Sequence, residues 1–323
     1  MEIFSANKTY DFMGKSKIFI SISLFFIFAS YALLATKGLN YGLDFEGGTL
    51  VQVKYDKKAP IKEIRSAISK DKVFQNASIT YFGSPNEVVI RFAKSSSSVK
   101  EDMGDIVRKL LKGTGNFKIR RVDIVGPKVG GELREKGVMA MVLSILAILI
   151  YVAFRFEWRF AVASVLALVH DVSISLGAIS LFQIDVNLDT LAAILTIMGY
   201  SLNDTIIVFD RIREGIHDAK KYDLFTVINE SISKTLSRTT LTSLTTFFVV
   251  LTLYLFGGEI IVGFSFTLLI GIIVGTYSSI FVASPLLKWL GFNIEEFKKR
   301  LAQKEKAKAE KEKMRKMYES GMV

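Results

Sequence analysis

The chain has no cysteine and only two histidines, His170 and His217. That excludes disulfides, thiolate metal sites and a cysteine nucleophile, and leaves little from which to build a metal centre. It also lacks the glycine-rich phosphate loop of nucleotide hydrolases, the GxSxG elbow of serine hydrolases and the HExxH helix of zinc proteases. Gly47-Gly48 and Gly130-Gly131 have no phosphate-loop context and read as joints. What the sequence has in abundance is apolar surface: half of its 323 residues are hydrophobic and 25 are phenylalanine. Such a composition belongs to a membrane protein with a water-soluble part. The net charge of +11 lies mostly beside the apolar runs and in the C-terminal tail, where the positive-inside bias puts it, so no nucleic-acid partner is expected.

Hydropathy predicts six transmembrane helices: 18–38, 135–154, 161–182, 188–209, 234–256 and 260–283. Residues 1–17 form a cytoplasmic N-terminus with Lys8, Lys15 and Lys17. The first run reads as an anchor because its polar lead is long for a signal peptide. Between the first two spans, residues 39–134 read as strand, helix, strand, strand, helix, strand. The expected elements are Thr49 to Tyr55, Ile61 to Ile68, Ala77 to Phe82, Glu87 to Phe92, Val99 to Leu111 opened by Ser95 to Ser98, and Phe117 to Val125. That order predicts a ferredoxin-like α+β domain. Lysine and arginine placement puts it outside and both termini in the cytoplasm. Residues 210–233 read as a cytoplasmic loop with an amphipathic helix on the membrane surface, through Ile212, Ile216, Val227 and Ile228. Residues 284–323 form a basic cytoplasmic tail, a solvated helix or a disordered segment at an anionic membrane face.

The fourth span carries Asn203 and Asp204. At 1.5 Å per residue, Asp204 sits about 9 Å inside the edge marked by Asp210, Arg211 and Arg213. A carboxylate at that depth must be protonated, paired or wet, since leaving it charged in lipid costs on the order of 3 kcal/mol or more. Such a group suits proton loading; the alternative is a static interhelical hydrogen bond. Arg238 enters the next span at a comparable depth, within a run where ten of the sixteen residues from Ser231 to Thr246 are Ser or Thr. An arginine that approaches Asp204 favours its charged form and one that retreats favours the neutral form. Taken alone, Arg238 reads more readily as a snorkelling, positive-inside anchor. Thr205, Thr239, Thr242 and Thr246 are candidates for holding waters along the path. His170-Asp171 in the third span is a second, weaker relay candidate. Gly263, Gly271, Gly275 and Ser279 line one face of the sixth span and predict close helix packing, within the chain or with a partner.

The stretches GLDFEGGT, VGPKVGGEL, GYSLNDTIIVFDRIRE, TLSRT and GTYSSI together resemble the SecD/SecF family of bacterial protein-export membrane proteins, in the resistance-nodulation-division superfamily. The resemblance implies a six-span half-transporter completed by a homologous SecD subunit. It also implies work beside the SecYEG translocon with SecA, and with YajC, in the inner membrane. The substrate would be an unfolded preprotein and the driver the proton-motive force, with no other cofactor and no enzymatic reaction. Asp204 and Arg238 match the family's proton-pathway residues. The competing class is a proton-coupled exporter of lipid or small hydrophobic molecules built on the same architecture.

Overall fold

The computed structural model describes residues 8–74, 77–92, 103–218 and 223–319. Among them, six helices are long and apolar enough to cross a bilayer. They are α1 (Ser16–Thr36), α5 (Pro127–Arg155), α6 (Trp158–Phe182), α7 (Leu188–Asp218), α8 (Leu224–Phe256) and α9 (Val262–Ser278). The last of these continues through a π-helical turn at Ser279–Ala283 into α10 (Ser284–Trp289). Proline at 285 has no N–H to give to the carbonyl four residues back, so the regular ladder breaks here. The Ser284 hydroxyl donates to the Ser279 carbonyl at 3.1 Å within the widened turn.

Between α1 and α5 the chain forms β1 (Asn40–Tyr41), α2 (Leu43–Glu46), β2 (Gly48–Tyr55), α3 (Ile61–Ile68), β3 (Ser78–Phe82), β4 (Ser84–Phe92), α4 (Met103–Leu110) and β5 (Phe117–Val125). The sheet order is β3-β4-β2-β5, antiparallel throughout, which is the ferredoxin-like arrangement. Alternation along β2 turns Val51, Val53 and Tyr55 onto a core shared with Ile64, Ile68, Ile90, Val107 and Leu111. Only Gly83 separates β3 from β4, with a positive φ of 70°, so Ser84 and Pro85 belong to the strand and not to the expected turn. The expected helix opener Ser95 to Ser98 lies outside the described residues.

The domain is fastened to the helices rather than strung between them. A short parallel pair joins β1 to β6 (Asp185–Val186), in the loop between α6 and α7. The Asp185 carboxylate accepts from Asn40 at 2.6 Å and pairs with Arg91 of β4. At the second attachment, Gly47 has a φ of 73°, and a Cβ on Gly130 would lie 2.9 Å from the Gly47 nitrogen. Gly130 and Gly131 therefore sit inside α5 and not at a flexible joint, and Gly130 is the close-approach surface while Gly131 faces open space.

The opposite end corrects a second expectation. Among the described residues no separate amphipathic helix follows the fourth span: α7 runs on to Asp218 and α8 starts at Leu224, so the two spans continue past the predicted boundaries and pack against each other. Ile212, Ile216, Val227 and Ile228 are buried between these extensions, in a core with Phe160, Phe209, Phe292 and Ile294. The N-terminal segment closes this core. The Asn229 side-chain oxygen accepts from the Phe12 and Met13 amides at 3.0 and 2.9 Å. Both described chain ends thus lie at the end of the bundle remote from the domain, and α11 (Ile294–Glu319) leaves from there as a continuous charged helix.

Candidate functional site

Helix α7 carries the site, and its domain-side end is pinned before it enters the bundle. The Asp44 carboxylate accepts the Leu188 amide at 3.0 Å, and the Thr190 hydroxyl donates to the Asp185 carbonyl at 2.9 Å. One face of α7 then packs against α9 through the small-residue stripe. A Cβ on Gly271 would lie 2.2 Å from Ile197, and one on Gly275 would lie 2.9 Å from Ser201. Gly263 similarly faces Thr190, and Ser279 is fully buried. The stripe is a contact within the chain.

That contact places hydroxyls around two carboxylates. Asp204 is 1% exposed, and its Oδ2 accepts from the Ser243 hydroxyl of α8 at 3.2 Å. The Ser243 oxygen in turn lies 2.7 Å from the Thr276 hydroxyl of α9. Thr276 has one proton and two acceptors in reach, Ser243 and the Ile272 carbonyl at 2.8 Å, so it can drop out of the chain without losing a hydrogen bond. One turn toward the domain on α7, the Ser201 hydroxyl donates to Asp171 of α6, as does Ser278 of α9 at 2.9 Å. His170 is 2% exposed, and its Nδ1 lies 2.8 Å from the other Asp171 oxygen. The histidine ring stacks on Tyr277, whose hydroxyl donates to the Phe19 carbonyl of α1 at 2.6 Å.

Two predicted site residues stand apart. Arg238 and Asn203 are both exposed on the outside of the bundle. No Lys, Arg or His among the described residues lies within ion-pair distance of Asp204; Arg238 does not reach it. The hydroxyls of Thr239, Thr242 and Thr246 are spent on carbonyls of their own helix at 3.1, 3.1 and 2.9 Å. The expected Asp204–Arg238 pair is thus absent, because Arg238 and Ser243 project from different faces of α8 and only the serine faces α7. Sequence reasoning missed Ser201, Ser243, Thr276 and Ser278. Their signal was small hydroxyl residues on three neighbouring spans at depths close to the carboxylates. It also missed an exposed stripe on α7, Ala192, Thr196, Gly199 and Asn203, at helical spacing with open space over Gly199.

The profile for protein export membrane protein SecD/SecF, C-terminal, matches residues 106–293, and the SecD/SecF GG motif matches residues 32–59. The protein translocase subunit SecF of Helicobacter pylori (strain ATCC 700392 / 26695) is 48% identical over 323 residues, covering 100% of both chains. SecF of Escherichia coli O157:H7 is 40% identical over 303 residues, covering 93% of this chain and 94% of its own. The crystal structure of SecDF, a translocon-associated membrane protein from Thermus thermophilus, superposes with a TM-score of 0.80 at 35% identity. The match covers 90% of this chain and 40% of that longer one, and the super-membrane-facing form of SecDF superposes at 0.65. With the GG motif at the Gly47 attachment, the C-terminal profile across both carboxylates and full-length likeness to SecF subunits, the chain belongs to the SecD/SecF family of protein-export membrane proteins.

Proposed function

We propose that the chain is a SecF-type subunit of the protein translocase, in which proton movement through Asp204 drives preprotein export. The observation that carries the reading is Asp204 itself, a carboxyl group closed off inside the bundle whose described partner is a single hydroxyl, 3.2 Å away. A carboxyl so placed has no stabilising cation in this state and gains one only by rearrangement, which is what a coupled proton carrier requires. The exposed stripe of α7 and Arg238 support a partner half. Polar and small residues turned outward at membrane depth suit another helix better than lipid, and SecD is the partner that the likeness to SecDF supports. Seating that half would place Arg238 and Asn203 at an interface, where Arg238 swings toward Asp204 in another state. The lysine and arginine distribution orients the domain outward and the termini to the cytoplasm of a bacterial inner membrane.

The test uses inverted vesicles with matched amounts of the complex, following preprotein export with and without an imposed proton gradient. Asp204→Asn keeps size and hydrogen bonding but cannot titrate. It should assemble normally and lose the gradient-stimulated part of export, about tenfold or more on the scale of proton-transfer residues. Asp204→Glu still titrates and should retain part of it. Parental stimulation in Asp204→Asn would overturn the assignment, since a merely structural carboxyl tolerates the amide.

A further inference from the structure

The buried groups not used by the Asp204 reading converge on one atom. The Asp171 carboxyl group is fully buried, accepts from Ser201 and Ser278, and has its other oxygen 2.8 Å from His170 Nδ1, so it is partnered from its own helix, α7 and α9. The other nitrogen of the same imidazole, His170 Nε2, is buried and has no hydrogen-bond partner. A hydroxyl-clamped carboxylate with a neutral histidine donating from Nδ1 carries one negative charge in a dry interior, which is costly. One added proton makes the pair neutral overall. Its bookkeeping is the same whichever way it is drawn: imidazolium beside carboxylate, or imidazole beside carboxylic acid. Both have hydrogen on Nε2, and the unloaded pair does not.

We propose that His170 and Asp171 form a second proton-holding site, loaded and unloaded at His170 Nε2 and tied through Ser201 to α7 one helical turn from Asp204. The step forms one N–H bond on loading and breaks it on unloading, and involves no other bond or electron. Three observations tie it to the first site. Ser201 and Asp204 are three residues apart on α7, so the motion that moves one moves the other by about the same amount along the roughly 4.5 Å between them. Ser278 has one proton and a second acceptor, the Gly275 carbonyl at 3.1 Å, so it can leave Asp171 without becoming unpaired. The widened π turn begins directly after it, at the kind of irregularity that recurs at functional sites. Of the titratable groups on the packed elements, Tyr277 of α9 stacks on His170, Tyr31 of α1 is bonded to Ser173 beside the pair, and on α7 Tyr200 precedes Ser201 and Asp204 follows it by three residues. No lysine or arginine among the described residues pairs with either member.

This inference rests on proton coupling as proposed above, and its test separates the two. The full chain, labelled with ¹⁵N-histidine and combined with unlabelled SecD, has two histidine signals, one of them the exposed His217 as an internal reference. Between about pH 5 and 9, where histidines titrate, the His170 Nε2 resonance should convert from the unprotonated to the protonated type, and its midpoint should move in the Asp204→Asn protein. A His170 Nε2 held in one form while His217 titrates would overturn the second site and leave the Asp204 reading untouched. In the vesicle assay His170→Gln should reduce gradient-stimulated export about tenfold with parental complex yield. Parental stimulation with a titrating His170 in the wild type would overturn its place in the relay.

Discussion

Asp223 shows how a single side chain outside the membrane sets where a span begins. It caps α8 by accepting the Phe225 and Thr226 amides, both at 3.2 Å, and it also accepts the Thr226 hydroxyl. The hydroxyl bond is the main reason its carboxyl is held below the ordinary aspartate range; burial opposes it, and each amide bond adds a lesser lowering effect. A depressed carboxyl stabilises the folded hairpin above its unfolded value of about 3.9 and loses that contribution as pH falls through the lower folded value. Asp223→Ala should therefore cost about 1 kcal/mol at neutral pH, and the difference from wild type should shrink below about pH 4. Thermal unfolding of the purified complex across pH checks both. Asp204 was legible in the sequence because a carboxylate in an apolar run is conspicuous, whereas Ser243 was not: one serine among ten hydroxyl residues announces nothing until α8 is rotated into place.

Rotation is also what separates the readings of the helices. Apolar residues at 212, 216, 227 and 228 have helical spacing, and that pattern is the same for a helix floating on a membrane and for two spans continuing into a packed hairpin. The choice was made by Phe12 and Met13, whose amides reach Asn229 from a segment more than two hundred residues away. The glycine stripe of α9 shows a similar limit, since spacing predicts a close neighbour without naming it. Two glycines now give opposite expectations. Gly271→Leu drives a side chain into Ile197 and should lower the yield of folded chain, because overpacking costs typically 1–3 kcal/mol and here meets the buried, branched Ile197 side chain. Gly199 has open space around it. Gly199→Leu should leave the chain's yield and unfolding temperature near the parental values and reduce co-purification of SecD. Loss of folded chain in Gly199→Leu and not in Gly271→Leu would reverse the assignment of the two faces.

For the molecule as a whole, the ferredoxin-like domain followed from local patterning, because β2 alternates, β4 is a short apolar run and both helices are short and amphipathic. Its attachment did not, because Asp185 touches Asn40 and Arg91 across loops that carry no periodicity. The proposed orientation is checked with a single cysteine in a chain that has none. At Lys70, an exposed position of the domain, a membrane-impermeant maleimide should label intact spheroplasts, and a cysteine at Lys311 of α11 should react only after permeabilisation. The reverse pattern would invert the topology.

The two fastenings of the domain have a mechanical consequence. Asp44 holds the first amide of α7, and Asp204 lies sixteen residues further along the same unbroken helix, about 24 Å away at 1.5 Å per residue. A rigid rod amplifies what happens at its held end: a tilt of about 5° there displaces the carboxyl by about 2 Å over that arm length. That is enough to carry Asp204 out of reach of Ser243. On the proposed function, force on the domain and protonation of Asp204 act at the two ends of one lever, so a polypeptide tugging on the domain should change how readily protons pass.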